Sequence, residues 1–310
     1  MLLRAAVAVI IVLAAAAVAF WYLTIPRPLD AAQLSQYGPG DAKRGERTFW
    51  LAGCSSCHAR PKAAGEAQLQ LAGGLELKTQ FGIFVVPNIS PDKKDGIGNW
   101  TLADFANALK RGIAPDGSHL YPAFPYASYS RMKPEDISDL FAFLKTLPPV
   151  AGKAPPDKIG FPFNIRRGIG LWQLLYLTDK PYVHLPQNAS AQAKAGQYLV
   201  EGPGHCGECH TPRTFLGGMK RDEWLAGAPN PDGKGAIPNI TPGKGGIGGW
   251  SEKDIAYFLE SGFMPDFDSV GGAMVDVQEN IAKLPASDRD AIAAYLKAIP
   301  PLPSAYTDKR

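Results

Sequence analysis

Only four cysteines, five methionines and five histidines occur among the 310 residues. Each scarcity excludes something. Four cysteines are too few for the dense disulfide framework that holds a small secreted fold together. An excess of one charge is also lacking: the formal net charge is +3, without the basic stripe that marks a nucleic-acid binder. No segment sustains apolar–polar alternation, so no strand-based architecture is indicated. Glycine and proline are plentiful instead, at 33 and 28 residues. With aromatics at 10%, this composition describes a loop-rich globular protein rather than a disordered one.

One long uncharged run is present, at the N-terminus, MLLRAAVAVIIVLAAAAVAFWYLTIPRP. Ala5 to Leu23 are 19 residues without a charge, about enough to cross a bilayer core as a helix. Arg4 precedes the run and holds the N-terminus in the cytoplasm, so the bulk of the chain is exported. Residues 1–28 are read as a membrane anchor, because Phe20, Trp21 and Tyr22 sit where an interfacial aromatic belt belongs. The competing reading is a signal peptide cleaved after the AVA at 17–19. Export is common to both.

The rest of the chain is written twice. PNISPDKKDGIGNWTLADF begins at Pro87, and PNITPGKGGIGGWSEKDI at Pro238. Trp100 and Trp250 lie 150 residues apart, Cys54 and Cys206 lie 152 apart, and FLKTLPP and YLKAIPP end 152 apart at Pro149 and Pro301. This is a tandem duplication, with domains at 38–150 and 191–310 and a linker at 151–190. Each half opens with a short helix, around Ala42–Trp50 and Ala191–Val200, on which Gly45/Phe49 and Gly196/Val200 share a face. TLADFANALKRG and SEKDIAYFLESG then read as helices, capped by Thr or Ser and closed at Gly112 or Gly262. A final helix starts near Pro134 or Pro285 and ends at a double proline. Both domains are expected to be all-α. In the linker, about Arg166–Leu177 forms a short helix with Trp172, Leu175 and Tyr176 on its apolar side, filling the groove between the domains.

All four cysteines fall in two copies of one motif, AGCSSCHAR at 52–60 and HCGECHTPR at 205–213. A zinc ribbon does not require His directly after the second Cys in both copies. A thioredoxin-like site needs a βαβ setting that the sequence lacks. Two four-residue disulfide loops would staple almost nothing. Cys-x-x-Cys-His is the signature of covalent haem attachment. In a helical turn, residues i and i+3 lie on one side, so two thiols reach two vinyl groups of one porphyrin edge. Residue i+4 also points that way, so its imidazole reaches the iron. Cys54, Cys57, Cys206 and Cys209 are thus the covalent haem c attachments. His58 and His210 are the proximal iron ligands of two haems.

With these motifs the chain resembles the cytochrome c superfamily in a class I-like tandem form, behind an N-terminal transmembrane helix. It is similar to the multihaem cytochrome c subunits of membrane-bound bacterial alcohol, gluconate and aldehyde dehydrogenases. LYPAFPYASYSRMKPEDI at 120–137, PNITP…GIGGW and VGGAMVDVQENIAKLP carry the likeness, over about residues 40–305. Those relatives often have three haem motifs, and this chain has two. The resemblance implies that the Pro87 and Pro238 carbonyls orient the proximal imidazoles.

For the opposite side of each iron, a methionine thioether is the usual partner in cytochromes c. In the second half, Met219 follows His210 too closely. Met264 and Met274 remain, and the glycines beside Met274, with the resemblance, select it. In the first half, twelve residues past Gly112 stands Phe124 rather than Met. Met132, eight residues on, is the assigned ligand, as in relatives that carry Phe at that place. His119 and an open position are the rivals. His184 reads as a linker residue, and His205 is too near the proximal side to act opposite it. Trp100 and Trp250, and Asn88 and Asn239, are candidate partners of haem propionates; core and turn roles compete.

A haem with both axial positions filled passes electrons and has no place for substrate. The chain is read as an electron-transfer protein of the bacterial inner membrane with its haem domains in the periplasm. A periplasmic or membrane-bound dehydrogenase is the donor. A quinone-linked complex, a small cytochrome or a terminal oxidase is the acceptor. The alternative is a haem enzyme, such as a thiosulfate dehydrogenase or peroxidase, with an open or unusual distal site in the first half.

Overall fold

The apolar run forms α1 (Leu2–Leu23), whose 22 residues have a mean hydropathy of 2.6 in the most apolar window and include no buried side chain. At 1.5 Å per residue it spans roughly 33 Å, which matches a hydrocarbon core. The computed structural model, which describes residues 1–231 and 235–306, fixes the root of this helix to the rest of the chain. Thr24 is fully buried and its hydroxyl donates to Phe20 O at 2.6 Å. Arg167, from the linker, donates Nε to Thr24 Oγ1 at 2.9 Å and Nη2 to Trp21 O at 2.8 Å. Its guanidinium also lies 4.1 Å from the centre of the Trp21 ring.

The first half then runs α2 (Ala31–Leu34), α3 (Ala42–Leu51), α4 (Cys54–His58), a β1–β2 hairpin (Glu76–Thr79, Gly82–Val85), α5 (Leu102–Arg111), α6 (Tyr126–Tyr129) and α7 (Pro134–Leu144). The linker supplies β3 (Lys158–Ile159) and α8 (Ile169–Tyr176). The second half runs α9 (Ala191–Glu201), α10 (Gly207–His210), β4 (Ala228–Pro229), β5 (Ala236–Ile237), α11 (Glu252–Ser261), α12 (Met274–Ala282) and α13 (Ala286–Ala298).

The same local rules shape both halves. Thr101 starts α5 and Ser251 starts α11, each in a reciprocal capping box with the acid at the third helical position, Asp104 or Asp254. Gly112 and Gly262 end them at φ +59 and +76, a left-handed cap that glycine adopts without strain. The first and last long helices of each half cross where a glycine removes the side chain. A Cβ on Gly45 of α3 would stand 1.9 Å from Asp139 O of α7, and one on Gly196 of α9 would stand 1.8 Å from Ala291 O of α13.

The all-α expectation is corrected in detail. Helices dominate, but β2 pairs antiparallel with β1, Glu76 opposite Val85, and with β3, Gly82 opposite Ile159. A second antiparallel pair joins β4 to β5. These strands have two to four residues, too few for alternation to register. The linker helix is also corrected at one position. Trp172 is buried against Tyr126 and Tyr176, whereas Leu175 is 62% exposed.

One buried cluster, including Phe49, Leu140, Val200 and Ile292, is continuous through both halves. Polar contacts tie them further. Arg47 forks onto Asp288 at 2.6 and 2.8 Å. Asn280 Nδ2 donates to Ser56 Oγ at 2.8 Å, and Tyr198 donates to Asp136. Burial raises Tyr129, Tyr198 and Tyr295 above the usual 10, and the Glu201 carboxylate beside Tyr295 adds to its shift. A raised phenol is held neutral when folded and ionises near 10 when unfolded. Its contribution is therefore complete below pH 10 and is lost as pH rises past 10. Alkaline titration followed by circular dichroism and tyrosinate absorbance should show these three phenols ionising together with unfolding, not before it, as a final step beyond the signal of the exposed tyrosines.

Candidate functional site

The two Cys-His motifs occupy one turn of helix each, α4 and α10. Gly53 turns the chain into α4 at φ +58, while His205 turns it into the second motif at φ +41. None of the four cysteines is paired in a disulfide. Burial pushes Cys54 and Cys206 up to about 12 and Cys57 up to about 11, so they stand as neutral thiols. Among the described residues no group of three or more His, Cys, Asp or Glu side chains converges to hold a bare metal ion.

The histidines are held alike. His58 Nδ1 lies 2.8 Å from Pro87 O, and His210 Nδ1 lies 2.8 Å from Pro238 O. A carbonyl only accepts, so Nδ1 carries the proton and the Nε2 lone pair remains available to a metal. Burial pushes His58 down to about 4 and lowers His210 as well, which keeps both imidazoles neutral. Two neutral thiols three residues apart, with a neutral imidazole presenting Nε2 immediately after, are the donor set that covalent haem c requires. Each half carries one such set.

A second shared feature lies beside the histidines. Gly73 N donates to His58 O at 2.7 Å and Gly227 N to His210 O at 2.9 Å. Both glycines have positive φ, +70 and +91. A Cβ on Gly73 would meet Val86 O at 2.4 Å, so no larger residue fits. The sequence reading missed this pair, although Leu-Ala-Gly stands at 71–73 and again at 225–227.

Asn88 and Asn239 are engaged in their own turns. Asn88 is buried, spends both Nδ2 hydrogens on Val150 O and Gly152 O at 2.7 and 2.9 Å, and accepts from Ser90 N. Asn239 bonds Leu302 O and Thr241 N in the same way. They tie the Pro-Asn-Ile turn to the chain beyond the last helix, which is a structural task. Trp100 and Trp250 are partly buried against the core. Lys145 and Lys297, in the repeated FLK and YLK segments, pin their loops by donating to Trp100 O at 3.3 Å and Trp250 O at 2.8 Å.

On the opposite side the halves diverge. Leu120 N donates to Gly112 O at 2.7 Å and Val270 N to Gly262 O at 2.8 Å. Counting on from these matched bonds aligns Phe124 with Met274. Met274 opens α12 and is partly buried. Phe124 packs on Tyr129, and the chain makes the short helix α6 before reaching Met132, which is 1% exposed. Met264 sits in a turn closed by its own bond to Asp268 O, and Met219 bridges back to Arg213. His119, the rival ligand, is buried at the root of α1 with Nε2 2.9 Å from Thr24 O. His184 is exposed in the linker. His205 lies between the halves, its ring 5.5 Å from Tyr129, whose hydroxyl donates to Ala52 O.

Comparison with known proteins gives the family. The cytochrome c family model matches residues 42–148. A diheme cytochrome c-type protein of Cereibacter sphaeroides is 53% identical over 290 residues, covering 94% of this chain and 96% of that one. The fructose dehydrogenase cytochrome subunit of Gluconobacter japonicus is 36% identical over 88% of this chain. The alcohol dehydrogenase (quinone) cytochrome c subunit of Gluconobacter oxydans is 38% identical over 84% of it. The chain spans 55% of the length of each of these two subunits. Similarity at this level across most of the chain, on top of the paired Cys-His geometry, means that the chain belongs to the cytochrome c family.

Proposed function

We propose that the protein is a membrane-tethered dihaem c-type cytochrome of two tandem domains, 38–150 and 191–310. It passes electrons from a periplasmic dehydrogenase toward the respiratory chain. The observation that carries the reading is the duplicated histidine geometry, each Nδ1 at 2.8 Å from a proline carbonyl. When bound, haem c supplies a one-electron iron couple whose potential follows its axial ligands. Cys54 with Cys57, and Cys206 with Cys209, would hold one porphyrin each. The proline carbonyls fix the tautomer and increase the basicity of His58 and His210. Met132 and Met274 would supply thioether ligands, which would raise the potential relative to a second imidazole. The dehydrogenase donor is supported by the cytochrome subunits of fructose and alcohol dehydrogenases among the relatives.

The exported protein should exceed its polypeptide mass by two haem masses, and Cys57→Ala should disturb attachment at one site only. In mild detergent a dehydrogenase should co-purify, and its substrate should reduce both haems. An intact mass with zinc or with no haem rejects the reading.

A further inference from the structure

A cavity of about 510 Å³ lies apart from both Cys-His motifs, at the root of α1. Its mouth is apolar. Leu23 and Ile25 from the end of α1 and Leu174 from α8 line it, and they are 43%, 42% and 54% exposed. Its walls are cationic, with Arg27, Lys110 and Arg111 against a single acid, Asp179. Lys110 is already engaged, donating to Ser130 O at 2.5 Å and Met132 O at 3.0 Å. Arg111 is half-buried, forms no ion pair among the described residues, and its Nε is buried without a hydrogen-bond partner. A donor left in that state costs free energy until an acceptor meets it.

An apolar mouth continuous with an apolar helix, and uncompensated guanidinium charge within, describe the two ends of one kind of ligand. We propose that this cavity binds the headgroup of an acidic phospholipid. The phosphate faces Arg111 and Arg27, which suit it as planar, multidentate donors. The acyl chains leave past Leu23, Ile25 and Leu174 along α1. The volume falls within the range of small-ligand pockets, roughly 300–1,000 Å³. A neutral quinone would fit the apolar mouth but leave the guanidinium charge uncompensated. The proposal rests on α1 being a membrane helix and goes beyond electron transfer. It makes the anchor's root a lipid-reading site that sets which membrane surface the molecule prefers.

The test uses the full-length holoprotein in nonionic detergent. It is titrated with dioleoylphosphatidylglycerol or dioleoylphosphatidylcholine, and bound lipid is counted by native mass spectrometry. Phosphatidylglycerol should fill one saturable site that phosphatidylcholine does not. Arg111→Gln and Arg27→Gln should each weaken that binding about tenfold, the loss expected for one charge-assisted hydrogen bond, with haem spectra unchanged. Arg27 is exposed, so its variant reports even where Arg111→Gln fails to fold. Equal binding of the two lipids overturns the proposal. Inorganic phosphate that competes as tightly as the lipid makes this a free-anion site and also overturns it. So does a ubiquinone analogue that binds through Arg111 while phosphatidylglycerol binding is unaffected by either variant. Carbonate extraction of membranes tests the anchor separately, because release of the protein would reject a membrane-spanning α1 and leave the detergent titration readable.

Discussion

Met132→Ala should remove about half of the weak far-red absorption band that methionine ligation gives an oxidised c-type haem, and Met274→Ala should remove the other half. Each substitution should also open one haem to carbon monoxide and lower its potential, leaving the other haem nearly unchanged. Both sulfurs are placed by local structure. Met132 follows the turn after α6 and is almost fully buried. Met274 is the first residue of α12. Met264→Ala and Met219→Ala should leave the band intact. His119→Ala should also leave it intact while loosening the root of α1. A band unchanged in Met132→Ala would reject the assignment in the first half. Carbon monoxide binding at one haem only is the control, since a structural collapse would open both haems at once.

Gly196→Val should be strongly destabilising. Its first side-chain atom would sit 1.8 Å from the Ala291 carbonyl oxygen, and that atom belongs to helix backbone that cannot turn aside. Separating α9 from α13 would also break the Tyr295–Glu201 bond at 2.6 Å. A cost of about 3 kcal/mol, the upper end of ordinary overpacking, is a large share of the roughly 5–15 kcal/mol that holds a domain folded. Gly45→Val should do the same in the first half, where Asp139 O stands 1.9 Å away. Gly249→Ala, with nothing within 4 Å of its Cβ, should be silent within about 0.5 kcal/mol. Urea unfolding monitored by circular dichroism compares the three. A Gly196→Val protein as stable as the Gly249→Ala one would mean that the crossing is looser than described.

The features legible in the sequence were those written in short, local and repeated form. The Cys-His motifs, the Thr101 and Ser251 caps, the glycines that end α5 and α11, and the shared faces of Gly45 and Gly196 all depend on residues within a turn or two of each other. What escaped depends on partners far along the chain. Asn88 is satisfied by carbonyls 62 and 64 residues away, and nothing near it in the sequence announces them. His119 meets Thr24 across 95 residues, so its role at the anchor is invisible to spacing. The β2–β3 pair joins a hairpin to the linker and leaves no periodic trace. Leu175 was placed on the buried side of the linker helix by counting alone, but the packing of α8 is set by Trp172 and by Gly170 pressed against Thr24. The Gly73 and Gly227 pair was within reach, since the Leu-Ala-Gly repeat is as regular as the tryptophan loop.

The junction between the halves has a consequence for what the linker is for. Arg47 on Asp288, Asn280 on Ser56, and the Tyr129–His205 ring contact all join residues close to one motif helix with residues of the other half. The connecting peptide is mostly exposed between Ala151 and Phe163, but it is not what keeps the two copies in register. A protease that nicked it would produce two fragments still bound to each other, with the separation between their redox centres undisturbed. The distance an electron must tunnel inside the molecule is then a constant of the folded interface, independent of how the connecting loop moves or which protein has docked outside.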